Sequence, residues 1–391
     1  MNDTQRLKVA IVHEWLVTLG GSELVLRELL RIFPDAHVFT LVDKMPPDTR
    51  AFLGVRDTTA SFLNRLPGSE TRYRSFLPLF PAAIRSLDVS GYDLVISNSH
   101  AVAKGVRTRP EQLHICYCLS PMRYAWDLRE QYLRESGIST GIKGFLARTL
   151  LRSLRRWDRR TSSGVDVFVT LSDYIEDRIR RAYNRDSTVI YPPVDTEFFS
   201  PNPDAGATHG DYYVTASRFV PYKRIDLIAA AFAELPGRSL VIVGSGPDDA
   251  KIRAAAGSNV TLVGQASRHG LRDRLRGADA FIFAADEDFG IAPVEAQACG
   301  IPVIAYGRGG VLETVRGLDS GSPTGVFYRE QTVASLVGGI KEFETRREVF
   351  SASACRTNAD RFSEARFRSE FASLVEAEWQ RHARQASFAR F

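Results

Sequence analysis

Residues 212–223 read YYVTASRFVPYK: five strand-forming residues, then a polar loop that sets Arg218 and Lys223 on either side of Pro221. The pattern repeats downstream. Residues 240–248 read LVIVGSGPD, 280–295 read AFIFAADEDFGIAPVE, and 302–315 read PVIAYGRGGVLETV. Each is a short unbroken apolar run ending in a loop rich in glycine or charge. Runs of that kind, with helical stretches between them, are strands buried on both faces of a parallel sheet.

Working outward, further runs of this kind lie at 9–13, 94–97, 114–118, 165–171 and 260–263. Strand–helix alternation therefore extends over most of the 391 residues and places the chain in the α/β class. It breaks once, at 192–211 (PPVDTEFFSPNPDAGATHGD), where Pro, Gly and Asp mark a linker. Two doubly wound domains follow, over 1–195 and 196–361. Residues 362–391 are expected to form terminal helices that pack back on the first domain. Ligands of such sheets bind beyond the carboxyl ends of the strands, so the loops facing a cleft between the two domains are where chemistry is expected.

Composition narrows the class. With 44% hydrophobic and 25% charged residues and a formal charge of +5, the chain reads as an ordinary globular protein. Cys116 and Cys118 form a lone C-x-C, and Cys299 and Cys355 stand apart, so no zinc spacing exists. The start has neither a basic region followed by an apolar core nor any run of 18 apolar residues, which predicts a cytoplasmic protein.

The loops suggest their ligand. Arg218 offers a planar fork and Lys223 a compact charge, a pair suited to a diphosphate. After the 280–284 strand, Gly290 permits close backbone approach and Pro293 opens a helix whose free N–H groups favour an anion. Glu295, expected in that helix's first turn, can accept the two hydroxyls of a ribose diol. Gly244, in GSGPD, and Gly307, Gly309 and Gly310 supply two further glycine loops on the same edge.

Together SRFVPYKR, GSGPD, the E-x7-E string from Glu287 to Glu295 and ACGIPVIAYGRGGVLETV resemble the family-4 retaining glycosyltransferases of the GT-B fold, closest to bacterial O-antigen and exopolysaccharide mannosyltransferases. The resemblance implies two Rossmann-like domains facing across a cleft. It also implies that Arg218 and Lys223 bind the donor diphosphate, Glu287 contacts the donor sugar and Glu295 holds the ribose. The backbone around Phe289, Gly290 and Ile291 would meet sugar and phosphate. Gly20 and Gly21, before a helix expected from Ser22, resemble the family's first glycine loop. Glu287, Arg218 and Lys223 are thus the expected catalytic group. The family needs no metal and no cofactor besides the nucleotide sugar. Asp286-Glu287-Asp288 does read as D-x-D, a string that holds a divalent ion in the other glycosyltransferase fold, but here the Arg/Lys pair already supplies positive charge.

The first domain supplies the acceptor side. By the resemblance, a His facing the donor sugar is expected at the position of Leu119, and Leu can neither donate a hydrogen bond nor carry charge. His13 or His100 fills that place, or turnover does without it, or the enzyme is inactive. Arg123, Tyr124, Trp126 and Asp127 lie in the next loop, where they either shape the acceptor site or anchor a packed loop.

Two basic, apolar segments remain. In 141–160 (GIKGFLARTLLRSLRRWDRR) seven basic residues accompany one acid. At about 100° per residue, Arg148, Arg152, Arg155 and Arg159 share one face, and Ile142, Phe145, Leu146, Leu150, Leu154 and Trp157 the other. The second segment is 72–85 (RYRSFLPLFPAAIR). Both suit an anionic membrane surface, the alternative for 141–160 being a domain helix with a core face and a solvated basic face; no nucleic-acid motif accompanies them. The expected activity is transfer of a hexose, first mannose from GDP-mannose, to a lipid-linked or oligosaccharide acceptor in cell-surface glycan assembly such as lipopolysaccharide. The site would be peripheral, on the inner face of the plasma membrane. A nucleotide-sugar epimerase and a non-catalytic nucleotide-sugar-binding homologue are the rival readings.

Overall fold

The computed structural model describes residues 7–126, 141–202 and 211–388. The chain divides into two compact units, Met1–Pro193 with Phe367–Phe391, and Val194–Arg366. Each is built on one parallel sheet.

The first sheet holds β1 (Val9–His13), β2 (His37–Thr40), β3 (Thr58–Ala60), β4 (Leu94–Ser99), β5 (Leu113–Cys118), β6 (Val167–Thr170) and β7 (Thr188–Val189). Their order is β3-β2-β1-β4-β5-β6-β7. All five residues of β1 are buried. Ala10 and Val12 join the core cluster on one face, with Phe80, Ile84, Leu151 and Leu154. Alternation turns Ile11 to the opposite face, also fully buried. Each such side chain contributes about 1.5–3 kcal/mol of transfer free energy.

The second sheet holds β8 (Tyr212–Ala216), β9 (Leu240–Val243), β10 (Val260–Leu262), β11 (Ala278–Phe283), β12 (Val303–Tyr306) and β13 (Gly325–Tyr328), ordered β10-β9-β8-β11-β12-β13. Its core joins Leu240, Ile242, Ile282 and Ile304 to Ile228, Phe232, Leu336 and Ile340 from the helices Ile225–Ala233 and Val333–Thr345.

The unit boundary differs slightly from the expected one after residue 195. Val194 pairs with Ser363, and Asp195 accepts from Arg268 Nη2 at 2.7 Å, so both belong to the second unit. Phe362 also stays there, its ring 5.4 Å from that of Phe289. The last helix, Glu364–Phe388, returns to the first unit: Phe367 and Phe371 meet Tyr117 edge-on at 5.6 and 6.2 Å, and Arg368 pairs with the buried Glu28. Part of the linker, residues 203–210, lies outside the described residues, as does Asp127.

Candidate functional site

In the second sheet β8 and β11 are hydrogen-bonded neighbours, although β9 and β10 separate them in sequence. The chain winds outward in both directions from this pair, which makes it the switch point where open α/β sheets bind ligands. The loop after β8 carries Arg218 and Lys223, and the loop after β11 carries Glu287. The two loops are tied together: Lys223 Nζ forms an ion pair with Glu287 Oε1, the side chains being 19% and 15% exposed. Arg218 is exposed and has no carboxylate partner among the described residues. One cation is thus oriented by a carboxylate, while the other stands open to an anion. The 3-10 turn Pro221–Lys223 fixes Lys223 and ends at Arg224, which takes a left-handed φ of 53°.

The glycine loops also have a packing role that their composition did not show. A Cβ on Gly244 would lie 1.8 Å from the Ser217 carbonyl oxygen, and one on Gly246 2.4 Å from that of Phe219. GSGPD therefore lies flat against the Arg218 loop, and Phe219 N–H donates to Ser245 O at 2.9 Å. Cβ atoms on Gly309 and Gly310 would likewise lie 2.4 Å from Glu287 O and 2.3 Å from Asp288 O. The helix after that loop, Val311–Thr314, has only four residues. These glycines allow backbone to pack on backbone, so the loops bearing Arg218 and Glu287 are braced from beneath.

The helix expected to open at Pro293 begins two residues earlier, Ile291–Ala298, because Gly290 at φ 90° makes the turn. Glu295 accordingly sits in the second turn, not the first, and the macrodipole at the helix start is not its partner. Its half-buried carboxyl is raised to about 7, chiefly by desolvation; Arg268 lowers it and Asp195 raises it further. Gln297, one turn from Pro293, donates to Pro293 O and Thr314 O at 3.1 and 2.9 Å and accepts from Asn358 at 2.7 Å, which locks the helix in place. The Phe289 ring is buried against Phe362. Within Asp286-Glu287-Asp288, Asp286 pairs with Arg308 at 3.1 Å and Glu287 with Lys223. No three His, Cys, Asp or Glu side chains gather as a metal site among the described residues.

In the first sheet the corresponding switch lies between β1 and β4. The helix Gly21–Ile32 starts one residue before Ser22, and no side chain caps it. Glu23 instead organises the Gly20–Gly21 loop. Its Oε1 accepts from Ser22 Oγ at 2.9 Å and lies 3.1 Å from His13 Nε2. Asn98 Nδ2 donates to Ser22 O at 2.8 Å and lies 3.2 Å from His13 Nδ1. Since the Ser22 carbonyl can only accept, the amide nitrogen is fixed and His13 accepts at Nδ1, so its proton sits on Nε2, facing Glu23. Burial opposes the Glu23 charge, yet the bonds from His13 and Ser22 hold its carboxyl below the usual value. His13 is therefore consumed by this network.

His100 is the imidazole beside Leu119. Ser99 pairs with Cys118 in register, and Leu119 N–H donates to Ser99 O at 2.8 Å, so residues 100 and 119 leave adjacent strands side by side. The His100 ring stands edge-on to Trp15 at 4.8 Å, and its Nδ1 is buried without a partner among the described residues. Burial lowers its pKa, with the Glu14 charge working the other way. Glu14 was not singled out in the sequence. It is fully buried and accepts N–H bonds from His100, Ala101, Val102 and Ala103 at 2.7–3.1 Å and one from Ser99 Oγ at 3.0 Å. Its one legible signal was an acid directly after a buried strand. In the next loop Tyr124 and Trp126 pack on the first core, Arg123 is half-buried, and Trp126 Nε1 donates to Asp158 at 2.8 Å. For Trp126 the packed-loop reading holds.

Residues 204–361 match the family model described as Glycosyl transferases group 1, and residues 19–198 match Glycosyltransferase Family 4. The chain is 34% identical over 221 residues to a GDP-mannose-dependent alpha-(1-6)-phosphatidylinositol monomannoside mannosyltransferase of Mycobacterium tuberculosis, covering 49% of this chain and 55% of that one. It is 32% identical over 193 residues to a D-inositol 3-phosphate glycosyltransferase of Mycobacteroides abscessus, covering 45% and 43%. The chain thus spans about half the length of the curated relatives it matches. Among solved structures, Alr3699/HepE of Anabaena in complex with UDP superposes with a TM-score of 0.70 at 16% identity, covering 95% of this chain and 100% of that one. Sucrose-phosphate synthase of Thermosynechococcus elongatus gives 0.63 at 21%, covering 99% and 100%. These likenesses show the fold, two Rossmann-like parallel-sheet domains of GT-B type.

Proposed function

Because the chain belongs to the family-4 glycosyltransferases of the GT-B fold, we propose that it transfers a hexose from a nucleotide sugar to a lipid-linked or oligosaccharide acceptor, with mannose from GDP-mannose as the first donor. The observation that carries this reading is the Lys223–Glu287 pair at the β8/β11 switch point, beside the exposed Arg218 that has no carboxylate partner among the described residues. Arg218 and Lys223 take the charge that grows on the diphosphate as the sugar–oxygen bond breaks. Lysine has three donors, so Lys223 can hold Glu287 and a phosphate oxygen together. Glu287 meets the sugar, Glu295 the ribose, and the Gly290 turn offers its N–H groups to phosphate. The acceptor oxygen bonds to the anomeric carbon on the face the diphosphate leaves, and its proton passes to a diphosphate oxygen, which retains configuration without a metal. His100 lies with the acceptor. The mannose assignment is supported by the curated relatives that use GDP-mannose.

No helix among the described residues is long and apolar enough to cross a membrane. Our reading places the protein on the inner face of the plasma membrane through its basic first domain. The test is release of nucleotide from a panel of nucleotide sugars, with and without membrane lipid extract. Acceptor-dependent release from GDP-mannose is expected. Turnover of donor without acceptor would indicate an epimerase, and binding without release a non-catalytic homologue.

A further inference from the structure

The two basic, apolar segments 72–85 and 141–160 come together in the first unit. Phe76, Leu77, Phe80, Ala83 and Ile84 share one core cluster with Leu150, Leu151, Leu154 and Trp157. Where the segments meet, an open groove of about 470 Å³ is lined by Pro81, Ala82, Arg85, Ser86, Arg107 and Trp157. Arg85 and Arg107 are exposed and have no carboxylate partner among the described residues. The wall between them is set firmly. A Cβ on Gly105 would lie 2.4 Å from the Trp157 ring, so only glycine there leaves the indole its place.

The helix Gly141–Thr161 that carries Trp157 is anchored at its far end. Asp158, its only acid, is fully buried; it pairs with the buried Lys104 and accepts from Trp126 Nε1 and Tyr183 OH, each at 2.8 Å. The helix therefore exposes six basic side chains, Lys143, Arg152, Arg155, Arg156, Arg159 and Arg160, and no carboxylate of its own. Its first turns expose Ile142, Phe145 and Leu146 at 80%, 64% and 59%. Exposed apolar residues beside exposed cations match an anionic bilayer, whereas a nucleic acid has no use for the apolar turn.

We propose that this groove is a docking site for the phosphate head group of an anionic lipid. Arg85 and Arg107 hold the phosphate, the glycerol backbone lies on Pro81, Ala82 and Trp157, and the Ile142–Leu146 turn enters the bilayer. The inference rests on the membrane reading above and adds to it a defined head-group site.

Co-sedimentation of the full chain with phosphatidylcholine vesicles, with and without phosphatidic acid, tests it. The protein is expected to bind the anionic vesicles at least about tenfold more tightly. Arg85→Gln/Arg107→Gln weakens that binding about thirtyfold. Ala82→Trp, which fills the groove without changing charge, weakens it too, while Arg329→Gln, an exposed arginine of the second unit, stays within about twofold. If the double variant and Ala82→Trp bind anionic vesicles as the unmodified chain does, the groove is overturned and the membrane reading stands. If the unmodified chain ignores all vesicles, both fall. Displacement by soluble glycerol phosphate as tight as vesicle binding would assign the groove to a soluble phosphate ester. Stronger binding to single-stranded or duplex nucleic acid would replace lipid as the partner.

Discussion

Replacing Glu295 by Gln removes a carboxyl that the fold has raised to about 7. Burial is the main cause, opposed by Arg268 and reinforced by Asp195. A ribose diol donates its hydroxyls best to an ionised carboxylate, so a donor that requires this form must first deprotonate Glu295. Its apparent Kd then scales as 1 + 10^(pKa − pH). Between about pH 8 and about pH 6 that factor rises roughly tenfold, or about 1.4 kcal/mol. The assay is calorimetric titration with an intact nucleotide sugar, whose diphosphate is esterified at both ends and has no proton to lose in this range. The unmodified chain should weaken about tenfold across the interval. Glu295→Gln should be weaker at the upper pH and nearly flat. If Glu295→Gln keeps the full slope, another group titrates and the ribose assignment fails.

Other outcomes follow from the same contacts. Gly244→Ala places a methyl 1.8 Å from Ser217 O on a backbone at φ 141°; it should cost about 1–3 kcal/mol in urea unfolding and weaken donor binding. Unchanged values for both would show that GSGPD does not brace the Arg218 loop. Lys104→Met leaves the buried Asp158 without its cation and should cost about 3 kcal/mol, read as a lowered urea midpoint. His114, buried and bonded to Ser97 Oγ and Gly164 O at 2.9 Å each, is pushed down to about 4. The unfolded chain then takes up the proton first, so stability is complete above about pH 6.5 and declines towards pH 4, by about 2 kcal/mol between pH 7 and pH 5. His114→Gln should remove that part of the acid sensitivity in denaturant titrations at the two pH values.

Much of the fold was written in unbroken apolar runs. Central strands such as β1, β4, β5, β8 and β11 have covered faces, and their residues say so. The strands missed were β2, β3, β7 and β13. Three of these lie at sheet edges, where one ladder side is unpaired and a run such as Thr188–Val189 needs only two residues. The second-unit loops were legible because charge and glycine follow each strand. What the glycines do was not legible, since a backbone packed on a neighbouring loop leaves no trace in either loop alone. The same holds for Glu14, Glu23 and Asn98, whose partners lie up to 89 residues away in sequence. His100 beside Leu119 depended on strand register, which local pattern does not fix.

The central claim is that Arg218 and Lys223 grip the donor diphosphate at the β8/β11 switch point. Its most direct test is nucleotide-sugar affinity in Arg218→Ala and Lys223→Ala, with circular dichroism to confirm folding. Each charged hydrogen bond contributes about 1.5–3 kcal/mol, so each variant should bind at least about tenfold more weakly, and the double variant should show no measurable donor binding. A folded double variant that binds GDP-mannose as tightly as the unmodified chain would contradict the account.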